Sequence, residues 1–203
     1  MNKIIRYLPL GDSYTIGEMV EEHERWTNIL VENLKGKGIN IELIENPAVT
    51  GYTTNDVIKK QLPILYQYKP DFSSLLIGVN DWVQGVSDII FRNNLVYIID
   101  NMLSILKTCN RIIIINIPDF SKTPEGHKYA KGRNITEGIS HFNSIIKEVT
   151  DKKKLKMLNV FDISQKGEKD LTYITSDGLH PSGKQYKEWE KRIFEVAYNY
   201  LSV

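Results

Sequence analysis

The chain has 203 residues, 41% of them apolar and 25% charged, proportions that exclude a disordered, collagen-like or membrane-embedded protein and favour one domain spanning 1–203. Its 26 basic and 25 acidic side chains nearly cancel, so no field of one sign draws it to nucleic acid or an anionic membrane surface. A single cysteine, Cys109, excludes an internal disulfide and is expected to be a buried thiol beside a strand.

The opening MNKIIRYLPLGD lacks the apolar length and the small-residue cleavage site of a secretory signal. No apolar run reaches the roughly 18 residues of a membrane span, so a cytoplasmic setting without integral membrane association is expected. The first strand is expected over 4–10. A helix carrying Trp26, Ile29, Leu30 and Leu34 follows and ends near Gly36 and Gly38; the second strand covers 39–44. A helix over 54–65 is disturbed at Pro63 and leads to a strand over 72–77. Ser87 caps a helix whose inward stripe is Phe91, Leu95, Ile98, Met102 and Ile105. The run IIIIN within the strand 111–116 is apolar on both faces and reads as central.

A stretch without regular structure, 117–133, follows; loops of this length are often functional, and this one is a candidate lid. Asn134 and Glu137 then open a helix bearing Ile135, Ile139, Phe142, Ile146 and Val149. After a fifth strand over 155–160, Ser182 and Gln185 have the spacing of a capping box ahead of Tyr186, Trp189, Ile193, Val196, Ala197 and Tyr200. Each apolar stripe is read as core, because an amphipathic helix requires one. Strands alternating with helices predict an α/β fold on a parallel sheet.

Ligands of such sheets bind where the loops leave the carboxyl ends of the strands. Those loops carry Gly11-Asp12-Ser13-Tyr14-Thr15, Asn46-Pro47-Ala48-Val49-Thr50-Gly51, Gly78-Val79-Asn80-Asp81 and Ser176-Asp177-Gly178-Leu179-His180-Pro181. Each loop alone is ordinary turn chemistry, but together they supply what acyl transfer demands. Ser13 offers a hydroxyl, which is weak until a base takes its proton. His180 is that base, and Asp177, three residues earlier, orients its ring and stabilises the imidazolium. The backbone N–H groups of Ser13 and Gly51 and the Asn80 amide are the candidate oxyanion donors. His23, His127 and His141 lack metal-ligand spacing, so neither a metal nor another cofactor enters this scheme. Tyr14, Tyr52, Trp82, Phe120 and Tyr173 lie in or near the same loops as candidate pocket walls.

In "GDSYT", "NPAVTG", "GVND" and "DGLHPS" the chain resembles the SGNH hydrolases, also called GDSL-type esterases and lipases, over nearly its whole length. The resemblance implies a flavodoxin-like three-layer α/β/α sandwich with a five-stranded parallel sheet. It also implies a catalytic triad of Ser13, Asp177 and His180, with Ser13, Gly51 and Asn80 as the oxyanion hole. The substrate implied is a small-molecule carboxylic ester with a short acyl, acetyl or lysophospholipid-type group. Tyr14 departs from the leucine of the family's nickname, and Asp12 is read as an organiser of its loop. Two other readings stay open here. One is a flavodoxin-like module binding phosphate or flavin through the hydroxyls of Ser13 and Thr15 and the following helix N-terminus. The other is an interaction protein that keeps the fold without the activity.

Overall fold

Four consecutive isoleucines leave no polar face, so a strand made of them needs cover on both sides. In the computed structural model, which describes residues 3–202, they form β4 (Ile112–Ile115) and are all buried. The remaining strands are β1 (Ile5–Gly11), β2 (Ile41–Leu43), β3 (Phe72–Leu76) and β5 (Lys156–Leu158). Every pairing is parallel, in the order β2-β1-β3-β4-β5. β4 is therefore interior, but the middle place expected for it belongs to β3. β2 and β5 keep only three residues each of the six expected, because an edge strand has a ladder on one side alone. β3 hides two serines: Ser73 Oγ donates to Leu8 O (2.6 Å) and Ser74 Oγ lies 2.7 Å from the Tyr7 hydroxyl.

Right-handed crossovers send successive helices to opposite faces wherever the strand order reverses. The chain moves one way from β1 to β2 and the other way thereafter. Thus α2 (Trp26–Gly36) packs with α7 (Gly183–Leu201), while α3 (residues 54–68), α5 (Asp88–Leu106) and α6 (Ile135–Lys152) form the other layer. Short helices α1 (Ser13–Ile16) and α4 (Val79–Gln84) follow β1 and β3, and single helical turns lie at His127–Ala130 and Phe161–Ser164.

α3 runs three residues beyond the expected end and is interrupted by a wide π turn, Val57–Gln61. Pro63 has no N–H to give Lys59, and the turn before it closes instead from Leu62 N–H to Val57 O. α5 is the one described helix long and apolar enough, by length and composition, to cross a membrane; its Phe91, Leu95, Ile98, Ile99, Met102 and Leu106 are buried in the core. Ser87 and Asn134 cap their helices through Ile90 N–H and Glu137 N–H. Ser182 does not cap α7, because its hydroxyl donates to Thr172 O (2.6 Å). Cys109 is half-buried in the turn before β4, with Sγ 3.5 Å from Lys153 O.

The stretch 117–133 is more ordered than expected. It holds a helical turn, His127–Ala130, and the buried Asp119 ties it down. The carboxylate accepts from Ser121 N–H, Thr136 Oγ1 and Gln165 Nε2, while Asp119 N–H donates to Ser164 Oγ.

Gly78 joins β3 to α4 at φ +127°, a conformation L side chains rarely adopt. A Cβ there would stand 2.8 Å from Phe91 and 2.9 Å from Ile117. Gly78→Ala is expected to lose about 1–3 kcal/mol of stability, read as a lower urea midpoint with an unchanged slope; an unaltered midpoint would show the junction to be slack.

Candidate active site

Ser13 begins α1 two residues beyond the end of β1. Asp12 caps that single turn, its Oδ1 accepting from Tyr14 N–H (3.1 Å), and Gly17 closes it in the left-handed conformation. Gly11 has to be glycine for a reason of space: a Cβ would meet Thr15 Oγ1 at 2.1 Å and Leu76 O at 2.4 Å.

His180 is presented by a short hairpin in which Ile174 and Pro181 form an antiparallel bridge. Asp177 builds that hairpin with one oxygen and holds the ring with the other. Its Oδ1 accepts from Leu179 N–H (2.8 Å), His180 N–H (3.0 Å) and Thr175 Oγ1 (2.7 Å). Its Oδ2 lies 2.6 Å from His180 Nδ1. Burial pushes the Asp177 carboxyl up, but the bonds from the His180 ring, Thr175 and the two backbone N–H groups outweigh it and hold the group at about 2. An ionised carboxylate only accepts, so Nδ1 carries the ring proton of a neutral imidazole and Nε2 keeps its lone pair.

Asn80 lies in the first turn of α4. One amide N–H donates to Tyr52 O (2.9 Å), which leaves the second free. The neighbouring Asp81 is buried and accepts from both the N–H and the hydroxyl of Thr54. These bonds lock the start of α4 to the chain just after Gly51.

Ser13, Asn80 and His180 line one cavity of about 50 Å³. Its remaining walls come from Tyr14 and Phe120, as anticipated, and from Val79, Val83, Tyr129 and Leu179. No hydrogen bond joins Ser13 to His180; in ligand-free sites such contacts are often long and tighten on binding. Gly51 is not in the lining. It stands at φ +85° in an exposed turn, one residue before the Tyr52 carbonyl that holds Asn80. Tyr52, Trp82 and Tyr173 are likewise outside: Tyr52 lies under Lys60 Nζ, Trp82 under the Arg133 guanidinium, and the Tyr173 hydroxyl bonds Glu188. A larger open groove of about 530 Å³ beside Glu22, Glu32 and Glu42 shares no residue with the cavity.

Three supporting residues give no local signal in the sequence. Gln61 bonds both the N–H and the carbonyl of Gly11. Arg133 donates to the carbonyls of Trp82 and Val83 in α4 (2.6 and 3.0 Å). Glu125 N–H donates to Gly178 O (2.9 Å), so the 117–133 stretch is strapped to both the Asn80 helix and the His180 hairpin. A phosphate or flavin cradle at Ser13 is disfavoured, since α1 is one turn long and Thr15 is fully buried.

A hydroxyl, a paired imidazole and a free amide at the carboxyl edge of a parallel sheet place the chain among the α/β hydrolytic enzymes. It belongs to the GDSL-like lipase/acylhydrolase family, whose model matches residues 10–188, and is a carboxylic ester hydrolase. Among solved structures, a lipase/acylhydrolase from Enterococcus faecalis is similar at 22% identity and a TM-score of 0.79, with 97% of each chain covered. A family 3 carbohydrate esterase from Clostridium thermocellum is similar at 20% identity and a TM-score of 0.77, with 98% of each covered. An acetyl xylan esterase from Geobacillus stearothermophilus follows the same fold at 16% identity and a TM-score of 0.72, over 95% of this chain and 94% of that one. No curated protein sequence gives a significant match.

Asp12 is the unusual carboxyl beside this site. Burial pushes it up to about 8, the Tyr14 N–H pulling it down and Asp81 pushing it further up. Between its ordinary value of 3.8 and about 8, the unfolded chain has lost a proton that the folded chain keeps, so stability falls as pH rises through that window. Asp12→Asn cannot ionise and retains the acceptor for Tyr14. Its melting temperature relative to the wild type should climb from about pH 4 to about pH 8 and level off above; a constant difference would place Asp12 in the ordinary carboxylate range.

Proposed function

We propose that the protein hydrolyses esters of small acyl groups through an acyl-enzyme on Ser13. The observation that carries this reading is the single cavity onto which Ser13, Asn80 and an Asp177-paired His180 open. Ser13 Oγ attacks the ester carbonyl as His180 Nε2 takes its proton, and Asp177 stabilises the imidazolium. The oxyanion is met by the Ser13 N–H and the free N–H of Asn80. Collapse expels the alcohol, which leaves with the proton from His180. Water then attacks the acyl-enzyme with His180 again as base, releasing the acid and restoring Ser13.

A volume of about 50 Å³ walled by Val79, Val83, Phe120 and Leu179 suits an acyl group of a few carbons and limits the enclosed contact that a longer chain can make. The acetyl xylan and carbohydrate esterases among the similar structures fit that limit.

Ser13→Ala is expected to keep less than about a thousandth of the wild-type kcat on a nitrophenyl acetate and to escape labelling by a fluorophosphonate; higher residual activity would move the nucleophile elsewhere. Across a panel of nitrophenyl esters, kcat/KM should be highest at acetyl or propionyl and lower by about tenfold or more at octanoyl. A rate that rises with chain length would overturn the small-acyl reading and leave the nucleophile untouched.

A further inference from the structure

Successive residues of a strand turn their backbone groups to opposite edges. On the β2 side of β1 those residues are Ile5, Tyr7, Pro9 and Gly11. Ile5 N–H donates to Asn40 O (2.7 Å) and Tyr7 O accepts from Ile44 N–H (3.0 Å). The strand β2 ends at Leu43, and Pro9 has no N–H to offer. Gly11 is thus left without a strand partner on this edge, in the interior, two residues before Ser13. Gln61 takes that place: Gly11 N–H donates to its Oε1 (2.9 Å), and its Nε2 donates to Gly11 O (2.7 Å). The side chain is fully buried and reaches Gly11 from the last residue of the wide turn in α3.

We infer that Gln61 is a positioning residue for Ser13, its amide standing in for one residue of the missing strand and fixing the peptide planes that lead into the nucleophile turn. On the other edge Gly11 stands in register with Leu76 of β3, so the residue that leads into the turn has a neighbour on both sides. This inference rests on Ser13 being the nucleophile. Gln61 touches no reacting atom; its effect is on where Ser13 Oγ stands relative to His180, a placement in which errors near 1 Å cost about a hundredfold in rate.

The test uses the full chain and two substitutions. Gln61→Met keeps the length of the side chain but breaks both bonds. Its kcat, and the rate at which a fluorophosphonate labels Ser13, should both fall about ten- to a hundredfold, with KM held within about twofold. Gln61→Glu keeps the acceptor for Gly11 N–H but offers Gly11 O a proton only when the carboxyl is protonated. The ratio of its kcat to that of the wild type should therefore rise several-fold as pH falls from about 8 to about 5, the span in which a buried carboxyl titrates. Groups common to both proteins, Asp12 and Asp81 included, cancel in that ratio. A lowered melting temperature with unchanged kcat per labelled site in Gln61→Met would overturn the inference, as would a ratio for Gln61→Glu that stays flat with pH. Should the wild type resist labelling at Ser13, the nucleophile assignment itself falls, an outcome the two variants cannot imitate.

Discussion

The pairing of β1 with β3, carried as far as Gly11 and Leu76, is the constraint on which the rest of the site depends. β1 lies between β2 and β3, so the chain leaves it toward one side of the sheet and returns on the other. The loops after β1 and β3 therefore part at their carboxyl ends and open a crevice. Ser13 follows β1 by two residues and Asn80 follows β3 by four, which sets the hydroxyl and the amide on neighbouring walls. His180 comes from a hairpin far along the chain, and its approach is fixed by Asp177 and by the strap from Glu125 to Gly178.

Asp177, paired with His180, and Asp12, next to Ser13, are held in opposite states by their donors. Asp177 is only half-buried and receives four hydrogen bonds, so it stays ionised down to about 2. Asp12 is fully buried, takes the Tyr14 N–H on one oxygen and has no partner for the other, so it keeps its proton up to about 8. A negative charge therefore stands behind the imidazole, where it favours the cation formed during proton transfer, and none stands beneath the serine. That division follows from burial and donor count, which outrank residue type.

What could be read from the sequence was what short-range chemistry writes. Strand cores and the Ser87 and Asn134 caps depend on neighbours a few residues apart, and three of the four loops bring Ser13, Asn80 and His180 to one cavity. The failures are long-range. Ser182 has the spacing of a capping box, yet its hydroxyl goes to Thr172 of the hairpin. The order of the 117–133 stretch depends on Asp119 meeting Thr136 and Gln165. Gln61 lies 50 positions from the glycine it pairs with, on a turn whose width is forced by Pro63. Gly51 was placed on the right loop but stands outside the cavity wall, because a φ preference says nothing of where a turn ends.

The double duty of the Asp177 carboxylate has a consequence for inheritance. One oxygen shapes the hairpin and the other faces the ring, so most replacements alter the shape of the loop and the charge beside the imidazole together, and only the isosteric amide of asparagine keeps the loop-building acceptor while removing the charge. Thr175, which bonds the loop-building oxygen and not the ring, is the neighbouring position where the two can be varied apart.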